Sequence, residues 1–249
     1  MKHIIYILMF LIGTVSFSQN EVRFEEGNDL YNKGNFEDAI AKYEAIIDSG
    51  EHSAALYYNL ANAHYKLNHI APSIYYYEKA LKLAPKDSEI HNNIAFARNM
   101  TVDAIDQTPE IGFAKFSKSI LSWMTFDNWA KLSVLLMIFF VVFYLVYYFN
   151  DRTLKKRLAF VTAISFLVLS CCAVGLAFGN YNRIQKDQPA IVFAKVTQVK
   201  SEPNLRSSES FKLHEGTKVQ ILDTVNNWKK IKISDGKTGW IPNADIKVL

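Results

Sequence analysis

The chain has 249 residues, of which 50% are hydrophobic, and its formal net charge is +4 at pH 7. This length suffices for two small domains and a membrane segment. The only cysteines, Cys171 and Cys172, adjoin each other inside a hydrophobic stretch, which excludes a disulfide framework in the polar parts of the chain.

The first residues have the pattern of an export signal. Residues 1–3 are basic, residues 4–15 are apolar but too few for a typical membrane span, and residues 16–18 place serines where signal peptidase requires small side chains. We predict a signal peptide over 1–18 with cleavage before Gln19. The alternative is an uncleaved anchor, which leaves the remaining topology unchanged.

Residues 20–53 and 54–87 form an internal repeat with a shift of 34 positions, at which Tyr43 aligns with Tyr77. A period of 34 is typical of tetratricopeptide repeats, each of which is a pair of helices joined by a turn. The segment resembles that family, which implies a curved array whose first helices line a concave binding face. The predicted turns lie at 33–35 and 67–69.

One further helix follows the two repeats. Asp87 or Ser88 provides an N-cap, and we predict a capping helix over 88–104, giving five helices in a repeat domain over 19–108. Repeat arrays usually need about three units to bury a continuous core. Either a partner or a second copy completes this short array, or its last helix caps it adequately.

The concave face predicted from the repeat geometry is rich in asparagine and aromatic residues. Asparagine amides can pair with a peptide backbone without reading its side chains, and tyrosines add contact area at low entropic cost. Individual tyrosines have the alternative role of packing between helices. The predicted partner-binding residues are Phe24, Asn28, Tyr31, Tyr58, Asn59, Asn62, Tyr65, Asn92, Asn93 and Phe96.

Some tetratricopeptide domains clamp a C-terminal carboxylate with two asparagines and three basic residues. Asn28 and Asn59 match the asparagine positions of that clamp. Its basic positions hold Phe24, Glu89 and Asn93 instead. We therefore predict no carboxylate clamp.

Two hydrophobic spans, predicted at 129–149 and 158–182, are separated by a basic loop at 150–157. Each span matches the hydrocarbon thickness of a bilayer, and short Lys/Arg-rich loops stay in the cytoplasm. We predict two crossings of the inner (cytoplasmic) membrane with both flanking domains in the periplasm, in preference to a soluble core. The topology-determining residues are Arg152, Lys155, Lys156 and Arg157.

The membrane region has two further features. Residues 111–128 combine aromatic and basic side chains in the pattern of an interfacial helix. Residues 132–149 and 158–182 carry no charged side chain, and ion or proton transport normally needs ionisable groups within the membrane. The spans are therefore interpreted as an anchor.

Residues 190–249 change to short alternating strands with turn signals, which predicts a small β-barrel. The segments at 204–208 and 239–241 resemble bacterial SH3 domains, whose relatives often bind cell-wall peptides. Trp228 and Trp240 are candidates for lining a ligand groove. We expect partial exposure for Trp228 and a core position for Trp240.

The two polar domains differ in charge. Residues 19–109 carry 8 Lys/Arg against 14 Asp/Glu, whereas residues 180–249 carry 12 against 7. The asymmetry fits two ordinary solvated surfaces, or mutual attraction of the domains, or an anionic partner for the basic one. Nucleic acid is excluded as a partner because both domains are predicted outside the cytoplasm.

The sequence lacks the common signatures of catalysis. It contains no nucleophile elbow, no phosphate-cradling loop and no metal-ligand spacing. We expect no enzymatic activity, no catalytic residues, no metal and no cofactor.

The order of signal peptide, tetratricopeptide repeats, membrane hairpin and bacterial SH3 domain resembles the BatE-like proteins of the Bacteroides aerotolerance (Bat) operon. That resemblance implies assembly with other Bat-type membrane proteins, some with von Willebrand A domains, a genetic association with a MoxR-type ATPase, and a role in stress or oxygen tolerance. We expect a membrane-anchored periplasmic scaffold that binds partner proteins through its repeats. The alternative is a cell-wall tether that binds peptidoglycan through the SH3 domain.

Overall fold

A computed structural model describes residues 19–105, 112, 119–121 and 123–249. The predicted signal peptide at 1–18 lies outside these residues, as does part of the predicted interfacial helix at 111–128. The chain divides into two compact units. One unit joins the helical repeats to the C-terminal β domain, and the other is the hydrophobic hairpin.

Five helices form the repeat region, as predicted. The two helices of each repeat meet at a turn in which Gly34, or Asn68 in the second repeat, adopts a left-handed backbone conformation, with φ of 83° and 58°. These residues are 34 positions apart, and glycine and asparagine are the residues that tolerate this conformation at a helix end. The helices are α1 (19–32), α2 (Phe36–Asp48), α3 (Ala54–Lys66), α4 (Ile70–Leu83) and α5 (Ser88–Arg98).

Close approach between the helices of each pair depends on small residues. A Cβ atom at Gly27 would lie 2.6 Å from the ring of Tyr43, and the equivalent Ala61 is fully buried. Tyr43 and Tyr77 are themselves buried at the equivalent place in α2 and α4. The aligned small and aromatic residues thus form the same core contact in each repeat.

The capping helix is shorter than predicted. Asp87 caps its first turn by accepting hydrogen bonds from the backbone N–H groups of Glu89 and Ile90, but α5 ends at Arg98 instead of continuing to residue 104. Residues 99–105 leave the helix because they contact the β domain. Ile105 packs against the core of that domain.

The C-terminal domain is an antiparallel sheet with the strand order β3-β2-β6-β5-β4-β1-β7. Alternate residues point inward, so that Val199, Leu213, Ile231 and Ile241 form its buried core. The strands are β1 (Gln188–Val192), β2 (Val196–Lys200), β3 (Glu209–His214), β4 (Lys218–Val225), β5 (Trp228–Lys232), β6 (Thr238–Pro242) and β7 (Ile246–Val248).

The β domain packs against the end of the repeats. Ile191 of β1 is fully buried within the hydrophobic cluster of α4 and α5. Phe193 meets the ring of Tyr75 edge-on, with 5.7 Å between centroids, and the Nζ atom of Lys247 lies 4.8 Å from the Tyr75 ring centroid. The chain's own β domain therefore covers the last repeat.

Charge complementarity accompanies this apolar contact. Glu78 of α4 pairs with Arg98 at 2.7 Å and with Lys218 of β4 at 2.8 Å. Asp103 pairs with His214 at 2.6 Å. Of the interpretations of the charge asymmetry, mutual attraction of the two domains accounts for the contact between Glu78 and Lys218.

The hydrophobic hairpin consists of α6 (Phe126–Phe149) and α7 (Thr153–Lys186). The hydroxyl of Ser170 donates to the carbonyl of Ser133 across the helix contact. At about 1.5 Å per residue, 24 residues extend about 36 Å, which exceeds the roughly 30 Å hydrocarbon core of a bilayer. Both helices are long and apolar enough to cross a membrane, and most of their side chains are not covered by the rest of the protein.

The connection between the two helices of the hairpin is shorter than predicted. The connection comprises 150–152 instead of 150–157, because α7 already begins at Thr153. Arg152 is the N-cap of α7, and Lys155, Lys156 and Arg157 form part of its first turns. Lysine and arginine are good helix formers, so the basic residues do not interrupt the helix.

Candidate ligand groove

The same hydrogen-bond network occurs twice on the inner face of the repeats. In the first copy, Oδ1 of Asn28 accepts hydrogen bonds from the hydroxyl of Tyr43 and from Nδ2 of Asn59, both at 2.8 Å. In the second copy, displaced by 34 residues, Oδ1 of Asn62 accepts from the hydroxyl of Tyr77 and from Nδ2 of Asn93. Each network joins the two helices of a repeat to the first helix of the next unit.

The tyrosines of these networks are fixed as hydrogen-bond donors. Burial, reinforced by the neighbouring Tyr31, raises the pKa of Tyr43 to about 12. Burial, followed by the effect of Tyr58, likewise raises the pKa of Tyr77. Both hydroxyls remain protonated at neutral pH, and each orients the amide to which it donates.

Two adjoining cavities lie along this face, with volumes of about 390 and 290 Å³. Tyr31 and Asn62 contribute to both, so the cavities form one continuous groove. The larger cavity, here called the acidic pocket, is lined by Glu25, Asn28, Asp29, Tyr31, Asn32, Tyr43, Asn59 and Asn62. The smaller cavity, here called the aromatic pocket, is lined by Tyr31, Tyr58, Asn62, Tyr65, Lys66, Tyr77, Asn93 and Phe96.

Most of the groove residues predicted from the sequence lie together in these pockets. Two do not, namely Phe24 and Asn92. Phe24 packs beside Tyr43, with 5.9 Å between ring centroids, and lines a separate cavity. Asn92 is exposed on α5, outside the lining of both pockets. Helical rotation directs residue 93, instead of residue 92, into the groove.

Sequence reasoning missed several residues of the groove. It aligned Tyr43 with Tyr77 across the repeat, but it did not predict that both rings are buried or that their hydroxyls donate to the asparagines. The 34-residue alignment could have indicated these hydrogen bonds, because asparagine occurs at both 28 and 62. Also missed were the charged side chains Glu25, Asp29 and Lys66.

A second surface contains the two tryptophans of the β domain. The expectation of a core position for Trp240 is wrong, since the residue is only partly buried. In β6 the inward positions belong to Gly239 and Ile241, which turns Trp240 to the opposite face of the sheet. Trp228 is also partly buried, as expected.

Lysines flank Trp240 on this outer face. Trp240 pairs with Lys200 of β2 on one side and with Lys230 of β5 on the other. The Nζ atom of Lys230 lies 6.0 Å from the centroid of the Trp240 ring. Because Trp228 and Lys230 are two residues apart on β5, both tryptophans lie on the same face of the sheet.

The two folded regions match known families. Residues 24–88 match the tetratricopeptide repeat family, and residues 195–247 match the bacterial SH3 domain family. Comparison with curated proteins finds no match. Tetratricopeptide repeats and bacterial SH3 domains are non-catalytic interaction modules, and the chain therefore contains one of each kind joined by two apolar helices.

Proposed function

We propose that the protein is a membrane-anchored adaptor whose repeat groove binds an extended segment of a partner protein. The observation that carries this proposal is the pair of Asn–Tyr–Asn networks in the groove. Oδ1 of Asn28 and of Asn62 is occupied by internal bonds, whereas Nδ2 of Asn28 and Oδ1 of Asn59 bond to no group among the described residues. One end of each amide is thus fixed, and the other is available to a ligand.

Fixed amides favour a peptide backbone as the ligand. An extended peptide presents alternating N–H and C=O groups, and an asparagine side chain offers both complementary groups. Because internal hydrogen bonds already orient the amides, little conformational entropy is lost when a ligand binds. The exposed ring of Phe96 and the tyrosines of the aromatic pocket add apolar contact area.

The topology proposed is two crossings of the inner membrane with the repeats and the SH3 domain in the periplasm. Direct packing between these domains supports their location on one side, because two crossings return the chain to the side it left. The basic residues Arg152, Lys155, Lys156 and Arg157 support a cytoplasmic connection between the helices. An export signal at 1–18 is consistent with the same arrangement.

Partner identity rests on the resemblance in domain order. That resemblance favours other Bat-type membrane proteins, within a complex linked to stress or oxygen tolerance. Such partners would lie in the same membrane as the adaptor, where anchoring raises the local concentration of both proteins.

The proposal is tested in native membranes with the double variant Asn59→Ala and Phe96→Ala. Neither change leaves the hydroxyl of Tyr43 without its acceptor, because Asn28 is kept. A matched control changes Asn92 and Leu83 to alanine, since both side chains are exposed outside the groove. Cross-linking and quantitative mass spectrometry should show partner recovery lost in the groove variant and kept in the control. Equal recovery from both variants would contradict the proposal.

The outer face of the SH3 domain carries Trp228, Trp240, Lys200 and Lys230. This face supports a second candidate function, that of a cell-wall tether. Aromatic rings stack on the apolar faces of sugars and peptides, and Lys200 and Lys230 suit the carboxylates of a cell-wall polymer. Full-length protein in detergent is mixed with isolated sacculi and sedimented. Retention that is lost on changing Trp240 to alanine, and kept on changing Phe96 to alanine, would identify the tether. If the sacculi do not retain the protein, the tether is excluded and the adaptor remains as the proposed function.

A further inference from the structure

We propose that the groove selects a partner segment with a cationic side chain at one end and an aromatic or large aliphatic side chain at the other. This inference rests on the proposed function, since it names the chemistry of the segment that the same groove binds. Glu25 and Asp29 specify the cationic residue. Phe96, Tyr58 and Tyr65 specify the apolar one.

The acidic pocket carries two carboxylates without internal compensation. Glu25 and Asp29 are one helical turn apart on α1, so both lie on the same face. Both are exposed and line the larger cavity, and among the described residues neither forms an ion pair. The neighbouring Glu26, by contrast, is paired with Lys42 at 2.6 Å. The pair of free carboxylates therefore presents its negative charge to the groove.

The amide and tyrosine groups beside these carboxylates make the pocket suitable for a basic side chain. Asn28, Asn32 and Asn59 line its wall together with the Tyr43 ring. Lysine and arginine have several N–H donors on a long apolar stem. Such a side chain can pair with Glu25 and Asp29 while its stem contacts the aromatic rings.

The aromatic pocket has the opposite character. Phe96 is 61% exposed although it lies in a cavity, with Tyr58, Tyr65 and Tyr77 around it. An exposed ring within an aromatic cavity gains most from burial against an apolar ligand side chain. Lys66, which forms no ion pair among the described residues, repels a second cation from this end and attracts a carboxylate.

Continuity of the groove makes the two preferences parts of one motif. Tyr31 and Asn62 line both pockets, so a single extended segment contacts both. In an extended chain alternate side chains point the same way, at roughly 6.6 Å per two residues. The cationic and apolar residues of the ligand therefore lie an even number of positions apart, with the intervening backbone along the asparagines.

Fluorescence anisotropy of labelled peptides on the full-length protein in detergent tests this selection. The probes are twelve-residue Gly/Ser peptides with two arginines near one end and two tryptophans near the other, in both orders. Matched probes replace the arginines with glutamates, or the tryptophans with serines. We expect the better Arg–Trp probe to bind at least about tenfold more tightly than either replacement.

Two protein variants identify the residues responsible. In Glu25→Gln with Asp29→Asn, the preference for arginine over glutamate should fall to within about twofold, and Phe96→Ala should remove the preference for tryptophan. The control is Glu44→Gln with Asp48→Asn, because these residues are an exposed acidic pair with the same spacing on α2, outside both pockets. This control should retain both preferences.

The outcomes separate this inference from the proposed function. Binding that is lost in Asn59→Ala with Phe96→Ala, but equal for the arginine and glutamate probes, overturns the inference and leaves the groove as a peptide site. Binding of no probe, or binding that this double variant leaves unchanged, overturns the inference and counts against the proposed function as well. A charge preference that survives in Glu25→Gln with Asp29→Asn overturns the assignment of the acidic pocket.

Discussion

Asp103 and His214, which are 111 positions apart, face each other with 2.6 Å between Oδ1 of the carboxylate and Nδ1 of the imidazole. The second carboxylate oxygen accepts hydrogen bonds from the backbone N–H of His214 and the hydroxyl of Thr217. Burial alone would raise the pKa of Asp103, but these hydrogen bonds outweigh burial and hold its pKa below the ordinary value. One ionised side chain after the last repeat thus fixes the turn before β4.

Changing Asp103 to alanine should weaken the attachment of the β domain to the repeats. The change leaves the backbone N–H of His214 and the hydroxyl of Thr217 without their acceptor, which costs about 1–3 kcal/mol. We expect faster proteolysis at 99–105 and a lower midpoint of thermal unfolding. The exposed Asp38 of α2 provides the control, because Asp38→Ala removes a carboxylate of the same charge away from the contact. Equal proteolysis of the two variants would contradict the role assigned to Asp103.

The stability of the repeat and SH3 unit should fall between about pH 6.5 and pH 4, because of His64. Burial, followed by repulsion from His69 and Lys247, lowers the pKa of His64 from 6.5 to about 4. Within this window the unfolded chain binds a proton at His64 that the folded protein does not, so acidification favours unfolding. The full shift corresponds to about 3 kcal/mol, lost progressively as pH falls.

Urea unfolding at several pH values measures this effect. His64→Phe keeps a ring for stacking on Tyr76, where the present rings are 5.6 Å apart, and should flatten the dependence. His91→Gln, at an exposed position, should leave it as in the unaltered protein. Asp103 acts separately, because a carboxylate with a lowered pKa contributes stability above pH 4 and loses it at lower pH. An unchanged slope in His64→Phe would exclude His64 as the cause.

The two Asn–Tyr–Asn networks should respond equally to equivalent changes. Tyr43→Phe and Tyr77→Phe each remove one hydroxyl but leave the asparagine oxygen bonded to the next helix, so each should cost about 1 kcal/mol. Asn62→Ala should cost more, since it leaves the hydroxyl of buried Tyr77 unsatisfied. Chemical denaturation of the three variants provides the comparison. A much larger loss for one phenylalanine variant than for the other would contradict the equivalence.

Local patterns with a strict period allowed the helices of the repeat region to be predicted from the sequence. The shift of 34 residues located the turns at Gly34 and Asn68 because left-handed conformation restricts the residue types that fit there. The end of α5 was not predictable in the same way. Asp103 is drawn out of the helical path by His214 and Thr217, and no local pattern reveals a partner 111 positions away.

The direction in which a side chain points was harder to predict from the sequence than the helix or strand that carries it. Asn93 and Asn92 differ by one position, or about 100° of helical rotation, and only Asn93 reaches Tyr58 and Asn62. Trp240 differs in the same way from Gly239 and Ile241, because a shift of one residue in a strand exchanges the faces of the sheet. Both errors arose where side-chain identity favoured one face and the packing of neighbouring elements fixed the other.

Gly216 offers the sharpest test of contact between the β domain and the repeats. Its backbone has φ of 87°, and an added Cβ would lie 2.8 Å from Cγ2 of Ile70 and from Cγ2 of Thr101. Gly236 has a similar φ of 95° but no atom within 4 Å of an added Cβ. Alanine at either position introduces the strain of a left-handed conformation, about 1–2 kcal/mol. Only alanine at 216 also forces α4 and the β domain apart.

Gly216→Ala should therefore be less stable than Gly236→Ala by a further 1–3 kcal/mol, roughly the cost of overpacking a close contact. Urea unfolding of the full-length protein in detergent, with limited proteolysis at 99–105, provides both measurements. Gly216→Ala should also make 99–105 more accessible to protease, because this segment lies between α5 and the β domain. If the two alanine variants were equally stable and equally resistant at 99–105, the domains would not be packed in solution as they are here, and the proposed common side of the membrane would lose its structural support.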